Sequence, residues 1–219
     1  MTETVGLVGI GAFGEFILPH LSKHFTVRVY DKFRNPAQLK AIAKKNNAQL
    51  VTEIDDLCDS DIVMIATPVR AFEDVVKMIA RHVRKGQLVI DVGSVKELPA
   101  KILQKHLPKG VDIIGLHPLF GPQSGKNGIK GLNITVCNVR GKRDVKLIKF
   151  FKQKLGLNVI ISTPTKHDQE LAYVQGLTHL IGNVFVGLDL PEFAQTTKTY
   201  ELLKQMVEMV RYDSDELFR

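Results

Sequence analysis

Cysteine is scarce, with Cys58 and Cys137 the two in 219 residues. They lie far apart and match no metal-ligand spacing. A disulfide scaffold and a cysteine–histidine zinc centre are therefore excluded, no metal site is expected, and both read as free thiols in a reducing cytoplasm. No apolar run approaches the roughly 20 residues that span a bilayer, so no membrane segment is expected. The start, Met1-Thr2-Glu3-Thr4, has no basic region, and the first apolar stretch is interrupted by glycines. That is not the pattern of a secretion signal, and the expected location is cytoplasmic. Internal repeats and low-complexity tracts are also lacking. Basic residues outnumber acidic ones by a net +7. They are scattered, however: Lys44-Lys45, Arg81 to Lys85 and Lys142-Arg143 fall in separate segments with few aromatics among them. Nucleic-acid binding is not expected from that distribution; attraction of small anions is.

The richest signal is at the start. Val5-Gly6-Leu7-Val8-Gly9-Ile10-Gly11-Ala12-Phe13-Gly14 sets a glycine fingerprint behind a short apolar strand. Gly9 permits the tight turn, Gly11 lets a pyrophosphate approach the backbone, and Gly14 lets the next helix pack close to the strand. The N–H groups at that helix start, in the stretch Ile10, Ala12 and Phe13, face the phosphates, where the helix dipole favours negative charge. Phe25 to Tyr30 reads as a second strand, ending at Asp31. Its distance from Gly9 is about the ~20 residues expected of a ribose-binding carboxylate. The alternative is a glycine-rich turn without a ligand.

Apolar runs then alternate with helical spacing. Runs at Ile62 to Ala66, Leu88 to Asp91, Ile113 to Leu116, Ile134 to Cys137 and Val159 to Ile161 predict strands. Between the runs, Ala37 to Asn46, Ala71 to His82, Leu98 to His106 and Asp144 to Leu155 predict helices. This is an α/β chain with a Rossmann-like, mostly parallel sheet, and the closely spaced later runs are candidates for antiparallel pairing at one edge. After Ser162-Thr163-Pro164 no strand pattern follows. Thr163 is a plausible N-cap with Pro164 at the first helical position, and Thr165 to Leu188 and Thr197 to Val210 read as helices. The expected division is 1–162, a dinucleotide-binding domain, and 163–219, a small all-helical module. The module is too short to bury its own core, so its apolar positions need the first domain, another chain, or both; a homodimer is expected.

Ligands of open α/β sheets bind at the carboxyl ends of strands. Thr67-Pro68, Asp91 to Lys96 and Gly115 to Pro122 fall there, which puts Ser94 and His117 near one crevice mouth. A histidine beside a serine suits general-base work, the imidazole taking a proton and the hydroxyl fixing its orientation. The alternative for His117 is a turn cap before Pro118. Gly125-Lys126-Asn127-Gly128 reads as a mobile loop near the crevice and lacks the pattern of a phosphate loop. In the helical module, His167 and His179 are twelve apart, off one helical stripe. His179 stands among apolar residues, either as a satisfied core histidine or as a ligand group. Lys198 is a candidate anion contact; its alternative is a solvated surface lysine.

Taken together, GLVGIGAFG (Gly6 to Gly14), DVGSVKE (Asp91 to Glu97), HPLFGPQSGKNGIKGL (His117 to Leu132), HDQELAYVQGLTH (His167 to His179) and TKTYELL (Thr197 to Leu203) resemble the prephenate/arogenate dehydrogenase family of tyrosine biosynthesis. The resemblance runs in order over nearly the whole chain, and HPLFGPQSGKNG is most similar to the plant, arogenate-type branch. It implies NAD(P)-dependent oxidative decarboxylation: a ring hydroxyl loses its proton, hydride passes to nicotinamide, carbon dioxide leaves and the ring becomes aromatic. It also implies site roles. His117 is the base and Ser94 orients it. His179, Lys198 and Gln123 meet substrate, and Asp168 supports them. Gly9 to Gly14, Asp31, Thr67 and Pro68 hold the cofactor. Asp31 favours NAD, while Lys32 and Arg34 keep NADP open. The position at which many bacterial members carry a carboxylate-binding arginine is Met209 here, with Arg211 close by. The position before Thr-Lys-x-Tyr, often acidic in arogenate enzymes, is Thr196, which leans toward prephenate. Two other readings stay open: another small-molecule dehydrogenase on this fold, and a non-catalytic dinucleotide-binding relative.

Overall fold

The computed structural model describes residues 3–188 and 190–211. Contacts divide the chain between Thr165 and Lys166 into two units. The first unit is a Rossmann-like α/β layer structure. Its strands are β1 (Thr4–Val8), β2 (Thr26–Tyr30), β3 (Gln49–Leu50), β4 (Ile62–Ile65), β5 (Leu88–Asp91), β6 (Asp112–Pro118), β7 (Asn133–Arg140) and β8 (Asn158–Ser162). They form one sheet in the order β3-β2-β1-β4-β5-β6-β7-β8. Pairing is parallel from β3 to β6, antiparallel between β6 and β7, and parallel again between β7 and β8. The expected antiparallel step therefore occurs once, and the last two strands run together.

The helices of this unit are α1 (Ala12–Ser22), α2 (Pro36–Lys45), α3 (Ile54–Cys58), α4 (Val69–Ile79), α5 (Glu97–His106) and α6 (Asp144–Gln153). Strand residues alternate between two faces, and both faces are covered. Val5, Leu7, Met64, Ile90, Leu116 and Val136 join Ile17, Leu18 and Leu147 in one cluster. Val8, Val63, Ile65, Val89 and Ile113 join Leu57, Phe72 and Leu103 in the other. Burial on both faces is why these strands read as continuous apolar runs. Gly6 lies under α3: a Cβ there would come 2.7 Å from the Leu57 carbonyl oxygen. Asn35 caps α2, its side chain accepting from the N–H groups of Ala37 and Gln38, with Pro36 at the first position. The thiol of Cys58 is buried beside Asp55 and Asp59, and burial first, then those carboxylates, pushes it up to about 12; it is an inert core group.

The second unit holds most of α7 (Pro164–Leu171), a π-helical segment (Ala172–Leu177), α8 (Thr178–Gly187) and α9 (Lys198–Arg211). α8 and α9 pack closely at Gly182, where a Cβ would come 2.6 Å from Val210 Cγ2. The turn between them is tied by the Tyr200 hydroxyl, which donates to the Pro191 carbonyl at 2.8 Å, and by Lys204 and Glu192 at 2.8 Å. Much apolar surface stays exposed here, including Tyr173, Val174, Leu180, Val184 and Leu188. Among the described residues no helix is long and apolar enough to cross a membrane.

Candidate active site

Strand order reverses between β1 and β4, and that is where an open α/β sheet leaves a crevice at its carboxyl end. Three glycines shape it. Gly9 has φ +92° and its N–H donates to the Tyr30 carbonyl at 2.9 Å. A Cβ there would meet the Ala66 carbonyl at 2.6 Å and Thr67 Cγ2 at 2.9 Å. Gly14 sits against the turn itself: a Cβ would stand 2.1 Å from the Gly9 carbonyl oxygen. Gly11 differs, since a Cβ there would meet nothing within 4 Å. Two glycines thus close the turn and one keeps open space over it.

That space suits a pyrophosphate. Gly11 precedes α1 and no side chain caps the helix start, so the first-turn N–H groups are available to an anion. Beside it stands Thr67, whose Oγ1 is buried with no hydrogen-bond partner among the described residues. Asp31 stands at the end of β2, its carboxylate accepting from the Ile10 N–H at 2.7 Å and from the Phe33 and Arg34 N–H groups at 2.9 Å each.

Further along the rim come β5 and β6. Asp91 pairs with Gly115 in register, so His117 projects two residues, about 6.6 Å, beyond it, level with the turn that carries Gly93 and Ser94. His117 is buried at the end of β6, opposite Thr135 of β7. Ser94 is half-buried. The two expected chemical groups thus lie on neighbouring strand ends of the sheet whose β1 carries the glycine loop.

The sequence reading missed Lys96. Its ammonium pairs with Asp91, and the two side chains are 1% and 3% exposed. Lys96 Cδ lies 3.0 Å from where a Gly115 Cβ would be. Gly115 and His117 share one face of β6, so the buried pair lies on the histidine's side of the sheet. The signal available was Lys96 immediately before a helix, five residues after an aspartate ending a strand; the room that Gly115 leaves was not visible.

The loop after His117, read as mobile from sequence, is packed at Gly125. Gly125 is buried, with a would-be Cβ 2.4 Å from Phe16 Cζ, and Phe16 meets Phe120 edge-on at 6.3 Å. Gly125 N–H donates to the Gly121 carbonyl and Gly128 N–H to the Gly125 carbonyl, building consecutive turns. Gln123 is exposed on this loop.

In the second unit, His167 and His179 are both buried, and Asp168 Oδ1 is 2.7 Å from His167 Nδ1. The expectation that the two histidines lie off one stripe fails because of the π-helical segment between them. Such a segment absorbs one extra residue, so twelve positions cover the phase of about eleven, close to three turns. The two side chains then fall near one side of the axis. The Thr178 hydroxyl donates to the Val174 carbonyl at 2.7 Å, in the segment where the regular ladder is shifted. Lys198 is 75% exposed with its ammonium 3.5 Å from Glu201, the geometry of a solvated helix pair. Arg211 lies 3.5 Å from Glu208; the side chain of Met209 is outside the described residues. Among the described residues no group of three His, Cys, Asp or Glu is arranged to hold a metal ion.

Comparison with known proteins adds the lineage. Residues 21–133 match the family model "Prephenate dehydrogenase, nucleotide-binding domain". Over 98% of its length the chain is 31% identical to "Arogenate dehydrogenase 2, chloroplastic" of Arabidopsis thaliana, covering 62% of that protein. Over 80% of its length it is 33% identical to the "Probable arogenate/prephenate dehydrogenase" of Methanocaldococcus jannaschii, covering 40% of it. The chain thus spans less than two thirds of these relatives. In fold it is similar to the crystal structure of prephenate dehydrogenase from A. aeolicus in complex with hydroxyphenyl propionate and NAD+, with TM-score 0.77, 22% identity, and coverage of 99% of this chain and 80% of that one.

Proposed function

The chain belongs to the prephenate dehydrogenase family, and from that premise we propose that it carries out NAD(P)-dependent oxidative decarboxylation of prephenate or arogenate toward tyrosine. The observation that carries this reading is the row of strand ends: the open glycine turn of β1, orphaned Thr67 after β4, Ser94 after β5 and buried His117 ending β6. A bound nicotinamide nucleotide supplies the hydride acceptor. Gly9 to Gly14 hold its pyrophosphate through backbone N–H groups, with Pro68 following Thr67 at the wall of the crevice. Asp31 takes the ribose and disfavours a 2′-phosphate by like charge, so NAD is the preferred cofactor. His117 accepts the ring-hydroxyl proton on its imidazole, and Ser94 orients that ring.

Residues 163–219 form the substrate and dimerisation module in this reading, its last eight residues lying outside the described ones. His179, Lys198 and Gln123 bind substrate, with Asp168 in a supporting role. The exposed apolar side chains of this module support a homodimer, for which light scattering at micromolar concentration is the check; a monomer would sink that part. Cytoplasmic residence belongs to the same reading and rests on the scarcity of cysteine, with Cys58 and Cys137 far apart in the sequence.

The direct test is reduction of the cofactor, followed by absorbance, with each of prephenate and arogenate and each of NAD and NADP. Turnover of one ring substrate with NAD ahead of NADP is the expected result. No reduction with any pair, in protein that binds the nucleotide, would leave a non-catalytic binding protein.

A further inference from the structure

The nucleotide turn carries a charge arrangement that the proposed function does not use. Asp31 binds three backbone N–H groups and so fixes the loop after β2 against the glycine turn. The same loop lays Arg34 across that turn. Arg34 Nη1 donates to the Ile10 carbonyl, and Nη2 lies 2.6 Å from Glu15 Oε2. Glu15 is in the first turn of α1, and its own N–H donates to the Gly11 carbonyl at 2.9 Å. The Arg34 side chain is 26% exposed and that of Glu15 45%. A guanidinium is thus anchored next to the ribose carboxylate, with one edge held by an anion from the helix.

We propose that the Glu15–Arg34 ion pair is a determinant of cofactor selectivity, withholding from a 2′-phosphate the guanidinium that would receive it. The inference rests on the nucleotide-binding reading above and adds to it the group that decides between NAD and NADP. In this fold an arginine near the ribose carboxylate is the usual receiver of the 2′-phosphate, and the planar guanidinium presents paired donors to it. Here one of those donor edges is spent on Glu15. Asp31, Glu15 and Arg34 together carry a net charge of about −1, facing a phosphate group that brings about −2. Lys32 is a second cation beside Asp31, exposed, with its ammonium 5.8 Å from the ring centroid of exposed Phe33. Removing the Glu15 charge leaves Arg34 tethered by the Ile10 carbonyl with Nη2 free, and the local charge near zero.

The test is a titration of NADH and NADPH by fluorescence on the wild type, Glu15→Gln, Glu15→Ala and the double variant Glu15→Gln/Arg34→Gln. Both single variants are expected to move the ratio of the two dissociation constants toward NADPH by about tenfold, with NADH affinity retained as the control for folding. In the double variant the gain should vanish, because Arg34 delivers it. A ratio within about twofold of wild type in both Glu15 variants would overturn the inference. So would a gain that survives the loss of Arg34, since simple removal of an anion would then explain it. Binding of neither nucleotide by the wild type would instead overturn the nucleotide reading, and this inference with it.

Discussion

Replacing His117 by asparagine is expected to leave nucleotide affinity near wild type while turnover falls by about 10²–10⁴-fold. That is roughly 3–5 kcal/mol of barrier. The separation follows from placement. In the proposed function the nucleotide is held by the β1 turn and the start of α1, whereas His117 lies at the end of β6, beyond β4 and β5 in the sheet. Asparagine keeps a similar size and still hydrogen-bonds, but it cannot accept the proton. The wild-type rate should fall at low pH as the imidazole is protonated, because only the neutral ring is a base. The variant should lack that limb. The measurement is turnover per active site against pH for both proteins. Retention of more than about a tenth of the rate, less than one decade of the expected loss, would make His117 structural. His179 would then be the next candidate for the base.

The second large effect concerns stability. Lys96→Met is expected to cost about 3–5 kcal/mol, because it removes the cation paired with the Asp91 carboxylate where both side chains are buried. Asp91 also accepts the Gly93 N–H at 2.8 Å, so the turn that carries Ser94 should loosen with it. Urea unfolding followed by circular dichroism measures the loss. The double variant Lys96→Met/Asp91→Leu should recover part of it, since no buried charge remains, though the Gly93 N–H loses its acceptor. A loss below about 1 kcal/mol for Lys96→Met would place the pair among ordinary surface ion pairs and contradict its burial.

The main elements of this protein were legible in the sequence because local rules fix them. Glycines nine, eleven and fourteen announced a strand–turn–helix, and the turn formed as the motif requires, with Gly9 at positive φ and Gly14 under the Gly9 carbonyl. Apolar runs long enough to show a period became strands and helices within a few residues of their expected ends. The short pieces, β3 with two residues and α3 with five, escaped because neither is long enough for a period to appear. The run from Thr165 to Leu188 read as one helix because local composition does not record which carbonyl an N–H chooses; the π-helical segment, and with it the common side of His167 and His179, exists only in the folded chain. Lys96 shows the limit most clearly. Lysine is ordinarily a solvated residue, and nothing beside it in sequence says otherwise. Its burial depends on Gly115, nineteen positions on by number, leaving a gap on the neighbouring strand, and on Asp91 facing the same gap. Sequence thus determined the elements, the nucleotide turn and the family. The sheet register decided which charges meet out of water, because that depends on space left between strands by residues distant in the chain.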